Sequence, residues 1–130
     1  MHLDLLWAIL AGAILGSLAD WLFAGVLFHH RYNIHPEIWR ATSNETRRVI
    51  LAQLTALLTA GAFVWLSYRL GQTDLTAALT LAATIWLIGP LPLLLANGLF
   101  IKIDLWVTGS HAAGWLAKLL LCGAAVAFFL

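Results

Sequence analysis

The sequence is poor in charged residues and in cysteine, and both shortages exclude whole classes of protein. Only 10% of the 130 residues are charged, which is far less polar surface than a soluble domain of this size needs. The one cysteine, Cys122, excludes a disulfide framework or a cysteine metal cage within a single chain. The seven basic residues form no cluster and the net charge is +1, so a nucleic-acid partner is not expected.

Long apolar runs make up most of what remains. The chain is 62% hydrophobic, with a mean hydropathy of +0.91. A membrane-spanning helix takes about 20 apolar residues, and four runs of about that length cover residues 5–28, 49–68, 75–101 and 111–129. We therefore predict an all-α fold: a polytopic bundle of four transmembrane helices, forming one domain over residues 1–130, with the lipid bilayer as its solvent.

The link between the first two spans is the only sizeable loop. Pro36 suits the first position of a short helix, because its missing N–H would be unpaired there in any case. Residues 36–41 are predicted to form a short interfacial helix, with Trp39 at the level of the lipid headgroups. Thr42 followed by Glu45 fits a capping box that opens the second span.

The histidines of this loop suggest a metal site, but their spacing does not support one. His29 and His30 would point about 100° apart on a helix, and no HExxH or comparable pattern accompanies them or His35. We interpret these three histidines and the adjacent Arg31 as interfacial residues near lipid phosphates. Neither a metal nor another cofactor is predicted.

Basic residues are distributed unevenly between the two ends of the spans. Lys and Arg residues are enriched in the cytoplasmic loops of membrane proteins. At one end of the spans the only basic residue is Arg69, and at the other end there are five. Those are Arg31, Arg40, Arg47, Arg48 and Lys102. We therefore predict that the first and third loops are cytoplasmic and that the N and C termini are extracytoplasmic, in a multi-pass protein of the cell inner membrane.

Short aromatic-rich motifs resemble those of a known family. The first is DWLFAGVLFHHRY at residues 20–32, followed by HPEIWR at residues 35–40; the second is residues 92–100, followed by AGWL at residues 113–116 and by Gly123. They are similar to one branch of the uncharacterised bacterial four-helix membrane family known as domain of unknown function 1761, over most of the chain. The resemblance implies that fold and a bacterial inner-membrane location. It implies no activity, because the family has none assigned.

Charged residues inside a membrane span are costly and usually paired. Gly12, Gly16 and Asp20 recur at every fourth position, so they share one face of the first helix, and a glycine face of this kind packs against another helix. Lys118 shares a small-residue face of the fourth helix with His111. Asp20 lies eight residues inside the cytoplasmic end of its span and Lys118 seven inside its own, roughly 10–12 Å deep. We predict an ion pair between helices one and four.

Gln53 and Asn97 lie near the same depth in the second and third spans. The four spans would thus form a polar layer that faces the cytoplasm, and this layer is the candidate binding site. The alternative is structural, because buried polar groups can serve only to fix the register of packed helices.

The third span contains Gly89-Pro90-Leu91-Pro92 near its middle. Pro90 and Pro92 each remove a backbone N–H and so break helical hydrogen bonds. Interrupted helices mark binding sites in transporters, which adds Pro90 to the candidate site. Prolines also simply kink transmembrane helices, and a kink would fit this long span to the bilayer.

Two functions remain open at this point. The first is transport or small-ligand binding at the polar layer, in a chain that forms a homo-oligomer. The second is a structural or accessory subunit that packs against a larger membrane complex. An enzyme is the weakest option, because the serines have no recognisable base and Cys122 lies in an apolar run, where a thiolate is disfavoured.

Overall fold

A computed structural model of the chain describes residues 2–34, 36–38 and 44–130. All regular secondary structure in this part is helical and it contains no strand, so the predicted all-α fold is confirmed. Its elements are α1 (His2–Asp20), a π-helix (Trp21–Leu27), α2 (His29–Tyr32), a 3-10 helix (Pro36–Ile38), α3 (Glu45–Leu70), α4 (Leu75–Ile88), α5 (Pro90–Phe100) and α6 (Leu105–Phe129).

Four helical stretches are long and apolar enough to cross a membrane. They are Leu3–Leu27, Thr46–Leu70, Leu75–Phe100 and Leu105–Phe129, with mean hydropathies of 1.8 to 2.0. They confirm the prediction of four spans and indicate a multi-pass membrane protein. The last of them begins at Leu105 and not at residue 111, because the Asp104 side chain accepts a hydrogen bond from the Trp106 amide at 2.7 Å and caps the helix there.

The third span is broken where its proline motif predicts. α4 ends at Ile88, Gly89 has φ −120° and ψ −87°, and α5 starts at Pro90. Pro90 thus occupies a first-turn position of α5, where a missing N–H leaves no partner unsatisfied.

The first loop differs from its prediction at the start of α3. The 3-10 helix begins at Pro36, while residues 39–43, including Trp39, lie outside the described residues, as does His35. α3 is capped by Asn44, whose side chain accepts a hydrogen bond from the Arg47 amide at 3.0 Å. Asparagine is among the best N-caps, so it replaces the predicted Thr42 cap.

α6 forms the centre of the bundle and packs against α1, α3, α4 and α5. Small residues let the backbones approach closely. A Cβ on Gly12 would lie 3.2 Å from Cys122 Sγ, and one on Gly123 would lie 3.1 Å from the carbonyl oxygen of Ala78. The Trp86 indole donates a hydrogen bond to the Ala112 carbonyl at 2.8 Å and ties α4 to α6. Close contacts of this kind are the main source of helix association in lipid.

Candidate functional site

The structure places Asp20 and Lys118 in contact across the α1–α6 interface. Lys118 Nζ lies 2.5 Å from Asp20 Oδ2, and it also lies 4.6 Å from the centre of the Trp115 ring. The lysine side chain is 6% exposed, whereas the aspartate side chain is 43% exposed. The lysine side chain is therefore largely covered by its neighbours and lines the cavity only with a small part, while the carboxylate remains accessible.

Gly16 makes room for the lysine stem. A Cβ at this position would lie 2.8 Å from Lys118 Cγ, well inside van der Waals contact. Since Gly16 lies one helical turn before Asp20, the same face of α1 provides both the space for the lysine chain and the carboxylate at its end.

A π-helix follows directly after Asp20. The Phe28 amide donates to the Phe23 carbonyl at 3.0 Å, which is a hydrogen bond spanning five residues. Gly25 lies beneath the Trp21 ring, where a Cβ would approach Trp21 Cδ1 to 3.1 Å. π-Helical segments are rare and occur often at functional sites. This one turns Phe23 and Ala24 towards α6.

A cavity of about 200 Å³ lies beside the ion pair, between the end of α1, α2 and α6. Its walls combine charged, hydroxyl and aromatic side chains. The lining residues are Asp20, Phe23, Ala24, Tyr32, Thr55, Ser110, His111, Gly114, Trp115 and Lys118. Charge and hydrogen-bonding groups therefore meet in one space within the bundle.

Tyr32 and His111 form one wall of this cavity. The Tyr32 hydroxyl lies 3.1 Å from His111 Nε2, and the two rings meet edge to face at 5.6 Å. Burial raises the pKa of Tyr32, an effect that the nearby Ser110 hydroxyl opposes and the Asp20 carboxylate reinforces. The phenol is therefore neutral at physiological pH and can donate a hydrogen bond.

Ser110 has a buried hydroxyl group without a satisfactory partner. The residue is 1% exposed, and its Oγ makes no hydrogen bond of normal geometry to any residue that the structure describes, although it lies close enough to Tyr32 to affect its pKa. Buried hydroxyls are nearly always hydrogen-bonded. Ser110 thus offers hydrogen-bonding capacity at the cavity wall, beside the Tyr32 hydroxyl.

Comparison with known proteins identifies the family. The model of a family described as "Protein of unknown function (DUF1761)" matches residues 7–127. The chain belongs to the DUF1761 family. The predicted resemblance is confirmed, and no curated protein or solved structure matches the chain.

The other predicted site residues of this DUF1761 chain do not line the cavity. Gln53 is exposed on α3, in a shallow groove that also contains Ser17 of α1. Asn97 is exposed on α5, and Pro90 is half-buried at the α4–α5 break. Of the predicted layer, the structure therefore brings together only Asp20 and Lys118. Depth along a helix fixes a residue's level, but not the direction in which its side chain points.

The residues predicted to be interfacial lie at the end of the bundle nearest the cavity. His29, His30 and Arg31 belong to α2, and Arg31 Nη1 lies 3.8 Å from Asp104 Oδ2. The Arg31 guanidinium also lies 5.5 Å from the centre of the Trp106 ring. These contacts hold α2 against the first turns of α6 and so close one side of the cavity.

Sequence reasoning missed several members of the DUF1761 cavity. Phe23 and Trp115 give no signal of their own, because aromatic residues in a span are usually packing residues. Tyr32 and Ser110 gave a weak signal: each is a polar residue at the boundary of a predicted span. Among the described residues, no group of three His, Cys, Asp or Glu side chains could hold a metal ion. The chemistry available here is recognition by charge, hydrogen bonds and aromatic faces.

Proposed function

We propose that this DUF1761 protein binds a small polar solute in the cavity beside the Asp20–Lys118 pair. The observation that carries the proposal is the buried Ser110 hydroxyl, which lines the same 200 Å³ space as the ion pair. Leaving a buried hydroxyl without a partner costs free energy. A solute with a hydrogen-bonding group would provide that partner.

The exposure of Asp20 also supports a binding role. An ion pair that only fixes helix register needs no access to solutes. Here the carboxylate is 43% exposed and lines the cavity. The arrangement leaves the carboxylate of the pair within reach of a bound molecule.

We extend the proposal to transport across the membrane. Asp20 and Lys118 belong to the stretches Leu3–Leu27 and Leu105–Phe129, which are long and apolar enough to span it. Charged residues inside such spans are typical of substrate and ion pathways. On the distribution of basic residues, the cavity would open towards the cytoplasm.

A thermal-stability screen of small polar solutes in lipid nanodiscs tests the binding site. Ala24 lines the cavity, so Ala24→Leu should fill it and abolish the rise in Tm that a binding solute produces. The matched control is Ala96→Leu, at an exposed position of α5, which should keep that rise. If no solute raises the Tm, or if Ala24→Leu leaves the rise unchanged, the proposal is wrong.

A second candidate function is that of a subunit in a larger membrane assembly, either a homo-oligomer or an accessory subunit. Gln53 supports it: the side chain is exposed on a helix that can cross a membrane, and it makes no hydrogen bond to another described residue. An amide side chain without a hydrogen-bond partner is unfavourable in lipid, whereas an amide side chain of a neighbouring helix would provide that partner.

Native mass spectrometry from mild detergent tests this candidate. The wild-type chain should appear as an assembly, and Gln53→Leu should shift it towards the monomer. Thr46→Leu, at an exposed position near the start of α3, serves as the control for added apolar surface. A wild-type chain that is monomeric throughout would contradict the assembly.

A further inference from the structure

We propose that the solute is a small zwitterion, a molecule that carries one ammonium and one carboxylate group, as a short amino acid does. This inference rests on the proposed binding site and names the chemical class of its ligand. Three features of the cavity carry it: its charge balance, the donors and acceptors that remain available, and its size.

The charge balance favours a ligand with no net charge. The cavity already contains one carboxylate, from Asp20, and one ammonium group, from Lys118. A simple amine or carboxylate ion would add an uncompensated charge inside an apolar bundle, which is strongly unfavourable. A zwitterion brings two opposite charges and leaves the sum unchanged.

The ion pair can align such a ligand antiparallel to itself, so that each charge of the ligand faces the opposite charge of the pair. Asp20 uses Oδ2 to accept from Lys118, and a carboxylate has further acceptor sites. The lysine has three N–H donors, of which Asp20 takes one, while the Trp115 face covers another side. The ammonium group of a zwitterion would bind at Asp20 and its carboxylate at Lys118, so that the two dipoles lie antiparallel.

The remaining walls fit the same molecule. Ser110 Oγ is a buried hydroxyl with hydrogen-bonding capacity to spare in the same cavity as the charged pair, and Phe23 and Ala24 provide apolar contacts for a short side chain. The cavity of about 200 Å³ exceeds the ~150 Å³ at which a protein cavity accommodates benzene. A molecule of the size of alanine therefore fits, whereas a bare inorganic ion would leave most of the space empty.

Three small probes that differ in their charged groups separate the possibilities on the wild-type protein. Alanine carries both charges at neutral pH, ethylamine lacks the carboxylate, and propionate lacks the ammonium group. Titrations followed by saturation-transfer NMR in lipid nanodiscs should show that alanine binds at least about tenfold more tightly than either of the others. Equal or tighter binding of ethylamine or propionate overturns the inference and leaves the binding site itself in place.

Two variants extend the test, because each of them removes one charge of the ion pair and keeps the other. Asp20→Asn should make propionate the preferred probe, and Lys118→Met should make ethylamine the preferred probe. Gly61→Ala, at a position where an added Cβ meets nothing within 4 Å, should keep the preference for alanine. A preference that does not reverse between the two charge variants also overturns the inference. If none of the three probes binds the wild-type protein, the zwitterion is excluded, and the solute screen with Ala24→Leu then decides separately on the binding site.

Discussion

Asp20 and Lys118 differ in exposure, so their replacements should differ in cost. Asp20→Asn leaves a buried ammonium group without its counter-ion, and we expect it to lower the free energy of unfolding by about 3–5 kcal/mol. Lys118→Met leaves a carboxylate that is 43% exposed, so its cost should be smaller. Reversible unfolding of the purified variants in mixed micelles measures both.

The double variant gives the internal control for this prediction. With both charges removed, Asp20→Asn with Lys118→Met should recover much of the stability that Asp20→Asn loses, because the buried charge is gone. Additive losses would show that the two side chains do not interact.

Gly16 offers a way to disturb the pair without altering either charge. Gly16→Ala would bring a Cβ to 2.8 Å from Lys118 Cγ, and we expect the resulting strain to destabilise the fold by about 1–3 kcal/mol. At Gly61 nothing lies within 4 Å of an added Cβ, so Gly61→Ala should be neutral or slightly stabilising. The comparison is made by thermal unfolding. Equal effects at the two positions would contradict close packing of Lys118 on Gly16.

At this scale the sequence places the charged pair but not the rest of the site. The prediction counted residues inwards from Phe28 and His111; the last helix in fact starts at Leu105, but Tyr32, one turn beyond Phe28, does contact His111. Gln53 and Asn97 lie outside the cavity, since a residue count gives no information on the rotation of α3 and α5 about their axes.

At the scale of elements, the π-helix is the feature that shapes the cavity wall. Each of its hydrogen bonds encloses one more residue than an α-helical bond. Deleting Val26, which is exposed, should therefore convert the segment towards an α-helix and move Phe23 and Ala24 relative to α6. We expect the fold to remain, as judged by circular dichroism, while solute binding in nanodiscs is lost. Unchanged binding after the deletion would show that the π-helix is not required.

The sequence predicts one of the two helix irregularities. Gly89 and Pro90 predict the break between α4 and α5, because proline has no N–H to continue the helical hydrogen bonds. The π-helix has no such signal: Trp21–Leu27 contains no proline and no pattern that separates a π-turn from an α-turn.

At the scale of the whole molecule, the orientation in the membrane remains a prediction. Cysteines introduced at Asn33 and Gln72 lie in loops on opposite ends of the spans, and the native Cys122 is buried, so it should not react with an external reagent. With a membrane-impermeant maleimide on intact cells, Gln72→Cys should be labelled and Asn33→Cys should not. The reverse pattern would show that the termini are cytoplasmic.

The central position of α6 has a consequence for biosynthesis. α1, α3, α4 and α5 all pack against this helix, and it follows them in the chain. Because residues emerge from the ribosome in order, the earlier helices enter the bilayer before their common neighbour exists. Until α6 arrives, Asp20 has no lysine beside it, so the nascent chain carries this carboxylate without its counter-ion until the last helix inserts.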